Sequence, residues 1–190
     1  ALRYYALRES PFTQDIPFSA ESLVLRLNAD LADNWGNLVS RSLAMIEKYC
    51  AGKIPTGKVD ASLKRAFGQQ IKVIESHFLR NEFHKALEEI GLLVGACNRF
   101  VSEKEPWALA GKGEKKELCN VLYSLAECLR VLALLYFPVM PSSSEAVLGR
   151  LGWNKVPRWK DASLKGLLKQ GTQTTRQGVL FSKIQIVEKP

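Results

Sequence analysis

Two small groups of side chains in this 190-residue sequence have types and spacings suited to recognising unpaired nucleic-acid bases. Asn37 and Arg41 stand four residues apart, which stacks them on one face of a helix. They lie off the apolar positions Leu31, Trp35 and Leu38. An amide beside a guanidinium can hydrogen-bond the exposed edges of bases, and the guanidinium can also stack on a ring. The plainer reading is that the two pair with each other or with neighbouring acids. The second group is Glu105, Pro106 and Trp107. Proline fixes its own φ and pushes the preceding residue out of the helical region, so the chain breaks there and presents an indole from a corner. Such an indole can stack a splayed-out base, or it can simply close the end of a core.

Bond-making chemistry finds no comparable support. The sequence has no glycine-rich phosphate loop, nucleophile elbow or H-E-x-x-H pattern. The adjacent acids Glu88 and Glu89 read as a solvated helix face. Cys50, Cys97, Cys119 and Cys128 form no C-x-x-C, and only His77 and His84 could join them, so no zinc-like spacing arises. Buried reduced thiols are expected instead. We therefore expect no catalytic residue and no metal or cofactor in this chain.

Charge suggests a partner. The net charge is +8, but residues 150–190 hold nine Lys and Arg against Asp161 and Glu188, leaving the first 149 residues nearly neutral. A basic stretch beside a neutral body suits a polyanion, whose condensed counterions are released on binding. A solvated basic tail fits equally well. No apolar run approaches the roughly 18 residues of a membrane span, so no membrane partner is expected.

Helical periodicity supplies the frame for these residues. Ser19 with Glu21 caps a long helix to about Tyr49, with Val24, Leu27, Leu31, Trp35 and Leu38 on one stripe. Gly52 and Pro55 end it. A second helix fits Asp60 to Phe78, with Leu63, Phe67, Ile71, Ile74 and Phe78 inward. A third, capped by Asn81, runs to about Val101. A fourth carries Leu118 to Tyr136 after the Gly111 to Gly113 turn, and a short one spans Ser142 to Leu151. PFTQDIPF, at 11–18, reads as a loop. Amphipathic helices joined by short turns must pack together, so the expected fold is all-α, a bundle of four to five helices. The expected division is a connector at 1–18, the bundle at 19–151 and a basic stretch at 152–190 that packs back along the body.

Several segments resemble the anticodon-binding domain of the methionyl-tRNA synthetases. ALRYYALRE looks like the segment after that family's KMSKS loop. NADLADNWGNLVSRSLAMIEKYCAGKIP is similar to its N-x-D-L-x-N-x-x-G-N-L-x-x-R signature. CNRFVSEKEPWALA is similar to A-N-x-Y-x-x-x-x-x-P-W-x-L-A, and FPVMPSSSEAVLGRLG and VLFSKI resemble later landmarks, the last L-F-P-R-I. The sequence departs from the pattern at Trp35, Cys97 and Phe100, all apolar. The resemblance implies that Asn37, Arg41 and Trp107 read a CAU anticodon, with Pro106 shaping the corner. It implies tRNA(Met) as partner and an upstream catalytic domain in the same protein that uses ATP with magnesium to attach methionine. Ending after LFSKI, the chain is expected to lack an appended dimerisation domain. We therefore expect a monomer from the mitochondrial matrix or, alternatively, a bacterial cytoplasm. A sibling class I synthetase (cysteinyl, leucyl, isoleucyl or valyl) and a helical protein-docking scaffold are the competing readings. The absence of phosphate-binding or acid/base groups yields a first prediction: pyrophosphate exchange with methionine, measured on this chain alone, stays at background, and activity above background would overturn the domain assignment.

Overall fold

The computed structural model describes residues 1–9 and 18–185. The PFTQDIPF loop lies, except for Phe18, outside the described residues. Among those described, eight α-helices form the molecule and no strand occurs, apart from one isolated antiparallel bridge between Lys53 and Gln173.

Helix α1 (Leu2–Glu9) buries Tyr4 and Tyr5. The long helix starts where its cap predicts, with the Ser19 hydroxyl accepting from Ser22 N at 3.3 Å. It is continuous to Cys50 but not uniform. α2 (Ala20–Arg26) passes into ten residues of wider π-helical winding (Leu27–Gly36) before α3 (Asn37–Cys50) resumes the α pitch. The Asn37 amide donates five residues back, to Ala32 O. The stripe supplies the reason. Leu27, Leu31 and Trp35 are all buried at steps of four. Such steps drift by about 40° on a helix of 3.6 residues per turn, and wider turns reduce the drift. Left-handed Ala51 (φ 51°) and Gly52 (φ 69°) then end α3.

Helix α4 (Ala61–Leu79) is capped by Asp60, which accepts from Ser62 N at 2.8 Å. It turns into α5 (Phe83–Lys104) through Asn81 and Glu82. Asn81 is not the cap expected from sequence; it takes the left-handed conformation (φ 59°) that the turn requires. The Glu82 carboxyl, held down at about 2 by Lys85, His77 and Arg80, gathers the charges of this turn. α5 runs three residues beyond its expected end.

The largest difference from the sequence reading concerns α7 (Lys115–Tyr136). Its leucines suggest a stripe, yet residues 121–136 are all buried, on every side. α7 is the central helix, packed by α3, α5, α6 and α8. That position explains why a helix long and apolar enough by composition to cross a membrane, contrary to our expectation from apolar runs, occurs here with most of its surface covered by protein. α6 (Pro106–Gly111) was not anticipated; α8 (Pro141–Arg150) was.

Inside this apolar environment sit Glu127 and Arg130, both with 0% side-chain exposure. Arg130 donates to both Glu127 oxygens at 3.2 and 2.8 Å, and to the Asp161 and Ser163 carbonyls, each at 2.7 Å. Glu127 accepts from Leu168 N at 2.6 Å. The guanidinium lies 5.0 Å from the Trp153 ring centroid. The ion pair therefore serves as the docking point for the C-terminal segment. From there the segment bonds to the α3–α4 loop (Gly171 N to Ile54 O, 2.8 Å; Ile54 N to Thr172 O, 2.9 Å; Thr174 N to Gly52 O, 2.7 Å).

A buried charge stripped of its partner is costly. Glu127→Ala is expected to lower the unfolding free energy by about 3–5 kcal/mol. The double change Glu127→Leu/Arg130→Leu should not restore it, because the backbone groups served by the pair would each lose a partner at about 1–3 kcal/mol. Urea titrations followed by far-UV circular dichroism check both; a double variant as stable as the parent would show that the backbone bonds do not matter.

Candidate nucleic-acid interface

Asn37 is the first residue of α3 and exposed, and Arg41 is half-buried one turn later. Neither side chain bonds to the other or to any described acid. Two carboxylates of the same helix are engaged elsewhere, Asp33 by Lys183 at 2.8 Å and Glu47 by Arg176 at 3.3 Å, while Glu103 shares the cleft without bonding to either side chain. The internal pairing that could have explained Asn37 and Arg41 is absent among the described residues.

Both line an open cleft of about 500 Å³ whose other wall is α5, through Asn98, Arg99, Ser102 and Glu103. These four were not singled out from the sequence. Their signal was present: Asn98 and Ser102, on the flank of the apolar stripe through Val94, Cys97 and Val101, and Arg99 and Glu103, opposite it, are each four apart. The facing helix, however, is unknowable before folding.

Three contacts fix the position of α3 in this cleft. The Asn98 amide donates to Asn34 Oδ1 at 2.7 Å, fastening α5 to the π-helical turns just before Asn37. Asn28 exchanges two hydrogen bonds with the Ile184 backbone, both 2.9 Å. Gly36 lies against the Leu31 carbonyl, where an added Cβ would sit at 2.8 Å, with the Phe181 ring at 3.6 Å. The VLFSKI segment thus braces the helix that carries Asn37.

Trp107 is not among the residues lining the cleft. It stands past the end of α5, four residues beyond Glu103. The break comes as expected, with a different geometry: Glu105 turns left-handed (φ 41°) and Pro106 opens α6 at a position where its missing N–H costs nothing. Pro106 is buried while the Trp107 indole is 46% exposed, and Leu109 and Ala110 are the α6 residues that pack on the core. The corner therefore offers its largest aromatic face to solvent.

Among the described residues no group of three His, Cys, Asp or Glu side chains could hold a metal. All four thiols are free; Cys97 and Cys128 are buried as expected, whereas Cys50 and Cys119 are only half-buried, at the margins of their helices. Burial, then the neighbouring Cys119, pushes the Cys50 thiol up to about 11, away from nucleophilic reactivity.

Comparison with known proteins gives a consistent result. Residues 51–189 match the family model for the anticodon binding domain of methionyl tRNA ligase, and residues 1–43 match that for class I (M) tRNA synthetases. Asn37 and Arg41 fall in the second match and Trp107 in the first. The methionine–tRNA ligase of Caldanaerobacter subterraneus is 39% identical over 98% of this chain and 30% of its own length. That of Enterococcus faecalis is 42% identical over 80% of the chain and 24% of its own length. The free-state structure of Mycobacterium tuberculosis methionyl-tRNA synthetase superposes with a TM-score of 0.87 at 34% identity, over 98% of this chain and 39% of that one. The chain thus spans about a third of the length of the relatives it matches.

The close approach at Gly36 distinguishes it from other helical glycines. Gly36→Ala should destabilise by about 1–3 kcal/mol, since a backbone carbonyl must move. Gly68→Ala and Gly91→Ala, with nothing within 4 Å of the new methyl, should stabilise by about 0.5–1 kcal/mol. Urea midpoints of the three variants read the signs directly, and a neutral Gly36→Ala would mean the π-helical turns adapt freely.

Proposed function

The chain belongs to the methionine–tRNA ligase family, and from that premise we propose that it reads the CAU anticodon of tRNA(Met) through Asn37, Arg41 and Trp107, with Pro106 setting the corner. The observation that carries this reading is the open cleft in which Asn37 and Arg41 stand without side-chain partners among the described residues. Unpaired bases expose donors and acceptors along their edges, and an amide and a guanidinium one helical turn apart can meet two such edges. The exposed indole supplies a stacking face for a further base. Recognition of this kind needs no bond chemistry.

The activity of the whole protein is the attachment of methionine to tRNA with ATP, and we place that reaction, its magnesium and its adenylate in the part of the protein beyond this chain. Support comes from the Mycobacterium tuberculosis relative, whose structures include complexes with methionyl-adenylate. The relatives are bacterial, so we place the protein in a bacterial cytoplasm; the mitochondrial matrix expected from sequence finds no support in them. The division into connector (1–18), bundle (19–151) and basic C-terminal stretch (152–190), and a monomeric state, remain part of the same reading.

The test is made in the full-length ligase. Trp107→Ala should reduce charging of tRNA with a CAU anticodon by roughly ten- to a hundredfold, the kinetic equivalent of about 1–3 kcal/mol of base stacking, while methionine-dependent pyrophosphate exchange stays near the parent rate. Arg41→Ala should act in the same direction with a comparable loss, by analogy with bidentate base contacts of about 1–3 kcal/mol. The ratio of aminoacylation to pyrophosphate exchange is the readout, with circular dichroism as folding control. Unfolding by Trp107→Ala would make the indole a core plug, and unchanged charging would sink the anticodon assignment.

A further inference from the structure

A second groove, of about 440 Å³, opens on the neighbouring flank of α3. Its walls are Ser40 and Glu47 of α3, Arg150 at the end of α8, and Arg176 to Gly178 of the C-terminal segment. Arg150 is the anomaly. It is half-buried, burial pulls its pKa below the ordinary guanidinium value, and its side chain has no hydrogen bond or ion pair among the described residues. Burying a cation without a partner is unfavourable, and an incoming anion would relieve that cost. Arg176, across the groove, is held among the described residues only by Glu47 at 3.3 Å, with both side chains more than half exposed. Exposed pairs of this kind are weak and exchange readily.

The segment carrying Arg176 is itself fixed: Thr175 N donates to Arg150 O at 2.9 Å, and the Thr174 hydroxyl to Gly52 O at 2.8 Å. The backbones that carry the two guanidiniums are therefore tied together. Ser40 lies between Asn37 and Arg41 in sequence but is turned about 60° from Asn37 at 100° per residue. The groove and the base-reading cleft thus share one helix, roughly 10–12 Å across. At about 3.4 Å of rise per nucleotide, a strand bridges that width in roughly three nucleotides.

We propose that this groove seats the phosphodiester backbone of the RNA arm whose bases the Asn37–Arg41 cleft reads, with Arg150 and Arg176 as phosphate ligands. The inference rests on the RNA reading above and adds to it a site that carries affinity without sequence information. Phosphate contacts position an RNA, whereas base contacts specify it. A more ordinary role for Arg150 is to sit on the negative end of the α8 dipole, which would give it no effect on RNA.

The experiment uses the full-length ligase and two synthetic anticodon stem–loop RNAs, one with CAU and one with an altered anticodon, titrated at several salt concentrations. Arg150→Gln and Arg176→Gln should each flatten the slope of log K against log salt by about one and weaken both RNAs to the same extent, roughly threefold at moderate salt. Arg150→Lys, which keeps the charge, should keep the slope. Melting curves verify that each variant is folded. If the arginine variants keep the parent slope while Arg41→Ala still abolishes discrimination between the RNAs, the groove is not a phosphate site and the anticodon reading survives. If the arginine variants change the ratio of the two affinities, the groove reads bases and the proposal fails. If neither RNA binds the parent protein, both the proposal and the reading beneath it fall.

Discussion

The buried ion pair between Glu127 and Arg130 is the constraint on which the rest of the structure hangs. Two charges at the centre of an apolar helix would destabilise any bundle unless their hydrogen bonds were nearly all satisfied. Here the satisfaction comes from the C-terminal segment, through the backbone of Asp161, Ser163 and Leu168. Burial of the two charges thus depends on that segment, which the pair in turn anchors at its start. From this anchor the chain travels to the α3–α4 loop and then to the π-helical turns, where Phe181 and Ile184 brace the residues before Asn37. A basic stretch that composition could have assigned to a loose tail is thereby drawn into the frame of the cleft.

Much of the helical architecture was legible in the sequence because it obeys local rules. The Ser19 cap, the start of α4 beside Asp60, the glycine stop after Cys50 and the proline break before Trp107 each act within a few residues, and each appears where the sequence puts it. Trp35, placed on the apolar stripe, is buried against Tyr136 at 5.6 Å between ring centroids. The failures are of another kind. Periodicity finds an apolar stripe, but a helix buried all round has no polar face to betray it, and the charges at 127 and 130 disguised α7 as amphipathic. The π-helical winding escaped because its signature, apolar residues at steps of four, is also tolerated by an α-helix. Cap residues were confused at the α4–α5 turn because asparagine suits both an N-cap and a left-handed turn.

The candidate site shows the same division. Asn37, Arg41 and Trp107 stood out by type and spacing, each within a short stretch of chain. The cleft, in contrast, is a relation between residues more than fifty positions apart, so its second wall on α5 and the Asn98 to Asn34 fastening could only emerge from packing. The two matched family models divide the chain between residues 43 and 51, after Arg41 and well before Trp107. The surface is therefore assembled from both matches, and its geometry depends on how α3 and α5 meet at the π-helical turns.

The burial pattern of the tryptophans has an optical consequence. Trp35 and Trp153 are buried and Trp159 is half-buried, leaving Trp107 as the indole most open to water. Emission from buried indoles is set by the protein interior, whereas that of Trp107 is governed by solvent and by whatever lies against its ring. The molecule thus contains its own fluorophore at the corner proposed above to stack a base. Quenching by a small soluble ion separates that signal from those of Trp35 and Trp153, so occupancy of the corner can be followed without attaching a dye.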